Sequence, residues 1–534
     1  MFAASISNVR LRPVVDRSKV PPPTPVSFPP APPVSPASTD RVKENLVHEL
    51  QAIYRPHDIK PILLSNVGLQ AVYDASPEDV LPDASYLPDF EAWDKLSFEE
   101  ARELDKTLRK KLPSGHFGPG AITYLDRKRE LSYPNSVAFR NIRRLPPAPG
   151  NSQPRLGNSY DFFRHLEHIT MYWDDPTQPA IESEPKDENA NKTQPPNATV
   201  AGGGVDSKVA VKDSDFYRTA QGQVMPNEAR LNLVNAFIKL IAYDFGGNTT
   251  APRMEPRLYM CTPIKGDSRI APRRSYISSA CTFVFRTPTD RVSARASIVE
   301  GPLAVVSCRT TVSFENDSEV CQDITREIIA ALVAAQQRDR EGKKEKRFGQ
   351  DVWWTSKPRW GGGPGGPIGR EIDPDDIPGD KESAFQKPKK EESRESQRPL
   401  GNIPGLPTVK RVKKTTQSIY DSYRQVRPPS STWDAKTKYQ AIGRIPGAQF
   451  DDIFMVSGLF HHISIVRIRV PQTLLHMLEG NVEQVDYGKL KMWRSKWYDL
   501  FSFDDRMEAL RLVWGMMAYQ IRDPSENVPM SDVA

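Results

Sequence analysis

Residues 303–314 read LAVVSCRTTVSF, and residues 318–342 read SEVCQDITREIIAALVAAQQRDREG. The first stretch has the β-branched composition that is typical of a strand. The second places Val320, Ile324 and Ile328 at helical spacing, which predicts a long helix with one apolar face. Because such a helix must bury its apolar face against another element, the two stretches together indicate a sheet covered by helices.

Three further strand-like runs come before this pair: RLYMCTPI (257–264), SYISSACTFVF (275–285) and VSARASIV (292–299). Their connections are short, and the turn signal EGP at 300–302 predicts another tight reversal, so we expect antiparallel hairpins. A helical pattern at 227–247 begins the unit. The sequence therefore predicts an α+β fold: an antiparallel sheet of about four or more strands flanked by helices, which in this unit pack on one face.

Composition divides the chain into folded and polar segments. Polar, Pro-rich or Gly-rich stretches cannot bury enough apolar surface to offset their ordering entropy, so we predict them to be disordered. For the C-terminal segment, packing on the central core and forming a core of its own are both left open. The predicted segments are a Pro-rich tail (1–39), a small, mainly helical region (40–173), an acidic, Asn- and Gly-rich linker (174–214), an α-β-β-β-β-α core (215–341), a basic, Gly- and Pro-rich linker (342–435) and an α+β segment (436–534).

Local signals place further elements in the outer segments. Ser97 and Glu100 form a capping box at the start of a helix. The runs DIFMVSGLF and HISIVRIRV, within 452–470, predict two strands. A last helix, predicted to start between Ser502 and Asp505, is apolar on nearly all sides and is therefore expected to be buried.

Charge and cysteine usage limit the class of protein. The formal net charge is only +6 over 534 residues, which excludes a histone-like role for the whole chain. Four irregularly spaced cysteines indicate neither a disulfide framework nor a zinc finger, which suits a reducing compartment. No apolar run reaches the length of about 18 residues that a membrane span needs, so no membrane contact is predicted. Oligomeric state is not predicted.

Two short basic clusters lie in segment 385–427, which contains eleven cationic residues and four acids, a net charge of +7. Short basic clusters are what nuclear import receptors read, and they also attract nucleic acid. The competing interpretation is a merely solvated linker. The predicted import and nucleic-acid residues are Lys387, Lys389, Lys390, Lys410, Arg411, Lys413 and Lys414.

Three tryptophans, Trp353, Trp354 and Trp360, follow a run of cations at the end of the long predicted helix. Cations at that position fit the negative end of the helix dipole. The favoured interpretation makes the tryptophans hydrophobic anchors that pack on the domain. Contact with a partner protein and stacking on nucleic-acid bases are the alternatives.

Motifs for catalysis, cofactors or metals are not apparent. The chain has no phosphate-binding loop, no nucleophile elbow and no dinucleotide fingerprint, so no catalytic, cofactor or metal residue is predicted. His165 and His168 are interpreted as structural. If His461 and His462 lie in a strand, their side chains should point to opposite faces. The cysteines of the predicted strands are expected to be buried and unreactive.

These patterns predict a non-enzymatic nuclear regulatory or scaffold protein. The more specific prediction is a transcription regulator that binds nucleic acid weakly through the basic linker. The predicted partners are a nuclear import receptor and DNA or chromatin proteins. The alternative is an enzyme whose unrecognised site lies on the central core and uses residues such as Arg273, Arg274, Glu300 and Arg309. Cytoplasm and, from the basic N-terminus, mitochondrion are the alternative compartments.

Overall fold

The computed structural model describes residues 22–32, 46–109, 112, 117–147, 150, 152–178, 218–250, 258–262, 271–274, 281–286, 298–309, 314–339, 341, 438–445, 447–479 and 488–522. Its helices are α1 (Leu46–Ala52), α2 (Ile62–Asn66), α3 (Pro77–Val80), α4 (Phe90–Trp93), α5 (Phe98–Leu108), α6 (Ala121–Leu131), α7 (Asn135–Ile142), α8 (Tyr160–Ile169), α9 (Asn227–Ala242), α10 (Asp317–Arg338), α11 (Gln472–Leu478) and α12 (Phe503–Gln520). Its strands are β1 (Gln70–Ala75), β2 (Gly247–Thr250), β3 (Tyr259–Thr262), β4 (Ala271–Arg274), β5 (Cys281–Arg286), β6 (Ile298–Cys308), β7 (Lys438–Gln440), β8 (Phe450–Leu459), β9 (His462–Pro471), β10 (Lys491–Ser495) and β11 (Tyr498–Asp499).

Nine of these strands form one sheet in the order β1-β10-β9-β8-β6-β5-β2, with β11 beside β9 and β7 beside β6. The α+β class is confirmed, but the predicted antiparallel sheet is wrong. The sheet is mixed, because β6 pairs in parallel with β8 and with β7, and β1 pairs in parallel with β10. Helix α10 follows β6, so the chain crosses over before β8, and parallel neighbours need such a crossover.

Helices cover both faces of the sheet, whereas the sequence predicted helices on one face. Along β8, Phe454 and Val456 join an apolar cluster with α9 and α12. The alternate residues, Ile453 and Met455, join a second cluster with α10 and α11. All four side chains are 2% exposed or less, so the strand is buried on both sides. An uninterrupted apolar run is what such a strand requires.

The predicted turn at 300–302 lies inside strand β6. Pairing with β5 shifts there, because Val284 faces Ala304 whereas Arg286 faces Glu300. Gly301 has a φ of 126°, and a Cβ atom added to it would lie 2.8 Å from the backbone nitrogen of Leu303. Only glycine accommodates this backbone, so the turn signal marks a bulge within one strand.

Several local predictions are confirmed. Helix α5 has its capping box at Ser97 and Glu100, and the side chain of Ser502 caps the start of α12. The two strands predicted within 452–470 are β8 and β9, and they form a hairpin in which Leu459 pairs with His462. Phe460, in the two-residue turn of this hairpin, has a φ of 54°.

Distant parts of the chain meet in this architecture. Strand β1 comes from the region predicted to be mainly helical, and 436–534 supplies β7 to β11 of the main sheet. Residues 22–32 lie against the domain, since the backbone carbonyl of Thr24 accepts a hydrogen bond from Nε1 of Trp173 at 3.2 Å. No helix within the described ranges is long and apolar enough to cross a bilayer. Of the segments predicted to be disordered (1–39, 174–214 and 342–435), residues 22–32 and 174–178 are described, and the rest lies outside the described residues.

Candidate functional site

A buried charge network lies where strand β6 ends. Arg309 follows β6 directly, and its guanidinium binds two carboxylates of α10, Asp323 and Glu327, each at 2.8 Å. It also donates to Oγ of Ser457 in β8, and Arg494 of β10 donates to the other oxygen of Glu327. Arg309 and Glu327 are both 0% exposed. The network therefore joins α10 to strands β8 and β10 and to the end of β6 through charge-assisted hydrogen bonds.

The charges in this network hold one another in their ionised forms. Burial alone would raise the pKa of Glu327, but Arg309 and Arg494 outweigh it and lower the pKa to about 2. Burial would lower the pKa of Arg309, but Asp323 and Glu327 outweigh burial and raise it. The guanidinium carbon of Arg309 also lies 4.9 Å from the ring centre of Trp497. Because Arg309 and Glu327 are fully buried and bind each other, we interpret this network as structural.

A cavity of about 610 Å³ lies near the opposite end of β6. Arg286 and Glu300 line it as an ion pair, and Arg444, which also lines it, binds Asp339 at 3.1 Å. Buried nitrogens of Arg286 (Nη1) and Arg522 (Nε) have no hydrogen-bond partner among the described residues. Partnerless buried donors are rare in folded proteins, so the chemistry of this lining suits an anion. The lining residues are Arg286, Glu300, Glu341, Gln440, Ala441, Ile442, Gly443, Arg444, Ile445, Gly447, Ala448, Gln449, Gln472, Ile521 and Arg522.

The long basic segment leaves and re-enters the fold at this cavity. Glu341, just after α10, and Gln440, the last residue of β7, both line it. Strand β7 is held there by its parallel pairing with the first residues of β6. The predicted import residues, Lys387, Lys389, Lys390, Lys410, Arg411, Lys413 and Lys414, and the predicted partner-contact residues, Trp353, Trp354 and Trp360, lie between these anchors and outside the described residues.

The histidine pair occupies the β8–β9 hairpin. His461 is in the turn, not in a strand, so the two rings lie side by side with centres 4.2 Å apart. Nε2 of His461 is 3.7 Å from Oδ1 of Asp499. Burial lowers the pKa of His462 to about 4 and raises that of Asp499 to about 6. Among the described residues, these three side chains form the group that could hold a metal ion.

The other histidines and cysteines considered from the sequence have structural surroundings. Burial lowers the pKa of His165, and the described residues place no third ligating side chain beside it and His168. Cys281 and Cys308 are buried in strands, as predicted. Burial raises the pKa of Cys308 to about 12, which leaves its thiol protonated and unreactive.

The residues suggested for an enzyme lie on different elements. Among the described residues, Arg273 and Arg274 belong to β4, which pairs with β3 in a two-stranded ladder apart from the main sheet. Glu300 lines the cavity, whereas Arg309 follows the other end of the same strand and belongs to the buried network.

Sequence reasoning missed the buried network, although one signal for it exists. Asp323 and Glu327 are four residues apart on one face of α10, each followed by an isoleucine, and both acids are buried. Arg494, which binds Glu327, is far away in the chain, and no local pattern connects the two residues. Among known proteins, the chain matches no family model, no curated protein and no solved structure.

Proposed function

We propose that this chain is a non-enzymatic nuclear regulatory or scaffold protein that presents its basic segment from one end of a rigid sheet. The observation that carries the proposal is the convergence of Glu341 and Gln440 on one cavity, which fixes both ends of segment 342–437. The partners are an import receptor and, for the regulatory role, DNA or chromatin proteins. Its compartment is the nucleus.

Charge supports this proposal. The net charge of +7 in 385–427 stands against only +6 for the whole chain, so the rest of the protein is close to neutral. A polyanion is therefore attracted to the segment and not to the protein in general. Binding to nucleic acid through such a segment depends on phosphate contacts and weakens steeply with salt.

Alanine at Lys410, Arg411, Lys413 and Lys414 is expected to move a fluorescent fusion of the full chain from nucleus to cytoplasm, because import receptors read the charge of this cluster. Confocal microscopy measures the nuclear-to-cytoplasmic ratio. The matched control replaces the three lysines with arginine, which keeps the charge and should keep the nuclear signal. Cytoplasmic signal for the unaltered chain would contradict the proposal.

A second candidate function is favoured by the cavity: an enzyme that acts on a small anionic substrate at the edge of the core. Its support is the pair of partnerless guanidinium nitrogens on Arg286 and Arg522. A cavity of about 610 Å³ with charged side chains in its lining has the size of a small-molecule site. Glu300 and Glu341 are the carboxylates available to it.

Inorganic phosphate and citrate are the probes for this second candidate. Both are expected to raise the melting temperature of the full chain, because a ligand that binds only the folded state stabilises it. Replacing Arg522 with methionine should remove most of that increase. The control, Arg511→Met, changes an arginine whose side chain is 37% exposed and should keep it. An equal response in both variants would exclude the cavity as the binding site.

A further inference from the structure

Two histidines and a carboxylate meet at the tip of the β8–β9 hairpin, at the other end of β8 from the cavity. His461 is only 4% exposed, and His462 pairs with Asp499 across strands β9 and β11. One ring nitrogen from each histidine and one oxygen of Asp499 lie within 4.8 Å of one another. The backbone also fixes this arrangement, since the amide of Leu500 donates to the carbonyl oxygen of His461 at 2.9 Å.

Ring nitrogens of both histidines lack hydrogen-bond partners. Nδ1 of His461 and Nδ1 of His462 are buried and unpaired among the described residues. Buried polar atoms in folded proteins nearly always have a partner, so an unpaired one requires an explanation such as a bound ion. Two neutral imidazoles and one carboxylate are a donor set that transition metals accept.

An aromatic shell surrounds these three side chains. Ring centres of Trp173 and Phe501 lie 5.7 Å and 5.0 Å from that of His461. The ring of Phe28, in the Pro-rich segment, packs edge-on against that of His462 with ring centres 5.0 Å apart, and it stacks on the ring of Trp497. An apolar shell limits the access of water, and proteins use such shells to control the environment of a bound metal.

We propose that His461, His462 and Asp499 bind a divalent transition-metal ion such as zinc, a property independent of the proposed nuclear role. Zinc holds nitrogen and oxygen ligands at about 2.0–2.2 Å, so the three donor atoms would move to about 3.3 Å from one another. Calcium and magnesium prefer sites made wholly of oxygen and should bind poorly here. Three protein ligands leave the fourth position of a tetrahedral ion for water.

Isothermal titration calorimetry, in which zinc chloride is added to the chelator-treated full chain, tests the proposal. We expect one zinc ion per chain and no response to magnesium chloride. His461→Ala and Asp499→Asn should each weaken zinc binding by at least about 100-fold, because even residues that only support a ligand affect metal affinity by about 10–100-fold. His57→Ala is the matched control, since the side chain of His57 is 67% exposed and belongs to no cluster of possible metal ligands among the described residues; this variant should bind zinc normally.

Asp499→Asn keeps an oxygen that can accept the hydrogen bond from the backbone nitrogen of Phe501, so this variant is expected to fold. Circular dichroism checks folding, and the visible absorption of bound cobalt(II) gives a second readout of the coordination sphere. If His461→Ala does not fold, the comparison of zinc binding by Asp499→Asn and by His57→Ala decides whether the proposed site binds zinc. Absence of zinc binding by the unaltered chain, or equal binding by Asp499→Asn and the control, would overturn the proposal.

Discussion

Replacing Glu327 with glutamine is expected to lower the free energy of unfolding by about 3–5 kcal/mol, because the change leaves the buried guanidinium of Arg494 without the carboxylate it binds and that of Arg309 with Asp323 alone. Arg309 and Arg494 both bind Glu327, and neither can reach water. Glutamine has nearly the same volume, so the loss comes from charge and not from a cavity. Urea denaturation followed by circular dichroism measures it.

The control for this variant is Glu315→Gln, which neutralises an exposed acid just before the same helix and should change stability by no more than about 0.5 kcal/mol. If Glu327→Gln lowers the free energy of unfolding by less than about 1 kcal/mol, the stability of the network does not depend on this charge.

Low pH should weaken the stabilisation that the carboxylate of Glu327 gives to this network. The folded-state pKa of Glu327, about 2, lies below its ordinary value of 4.5. A carboxyl group with a lowered pKa stabilises the fold above its unfolded-state pKa, and that contribution disappears as the pH falls towards the folded-state pKa. The stability difference between the unaltered chain and Glu327→Gln should therefore shrink between about pH 4.5 and pH 2. A difference that stays constant over this range would contradict the assignment.

Local elements could be predicted from the sequence because their signals are local. The periodicity of α10, the alternation of β9 and the caps at Ser97 and Ser502 depend on neighbours within a few residues. Parallel pairing is different, because it joins strands that are separated by a crossover. Strand β1 pairs with β10 more than 400 residues later, and nothing in QAVYDA indicates that partner.

The covering of the central strands on both faces could have been predicted from the sequence but was not. The runs LAVVSC in β6 and DIFMVSGL in β8 are nearly continuous in apolar residues, which is typical of strands covered on both faces. The sequence instead predicts β6 in an antiparallel sheet with helices on one face, and it predicts β8 only as a strand. The candidate sites are harder to predict, because His461 and Asp499 become neighbours only when β11 lies beside β9.

Replacing Phe162 with alanine is expected to destabilise the whole chain by about 3–5 kcal/mol, the usual loss for a buried aromatic ring. Phe162 lies in α8 and is 0% exposed. Its ring centre is 5.7 Å from that of Phe237 in α9, and the guanidinium carbon of Arg506 in α12 lies 5.3 Å from it. One side chain thus contacts helices from the N-terminal, central and C-terminal parts of the chain.

Because these parts share one apolar cluster, Phe162→Ala should lower the midpoint of a single unfolding transition. Tyr160→Ala is the matched control: it removes a 43% exposed aromatic ring from the same helix and should cost no more than about 1 kcal/mol. Calorimetry and tryptophan fluorescence should give the same midpoint for each variant. If Phe162→Ala instead separates an early transition from an unchanged later one, the N-terminal helices fold independently of the sheet and the shared core is refuted.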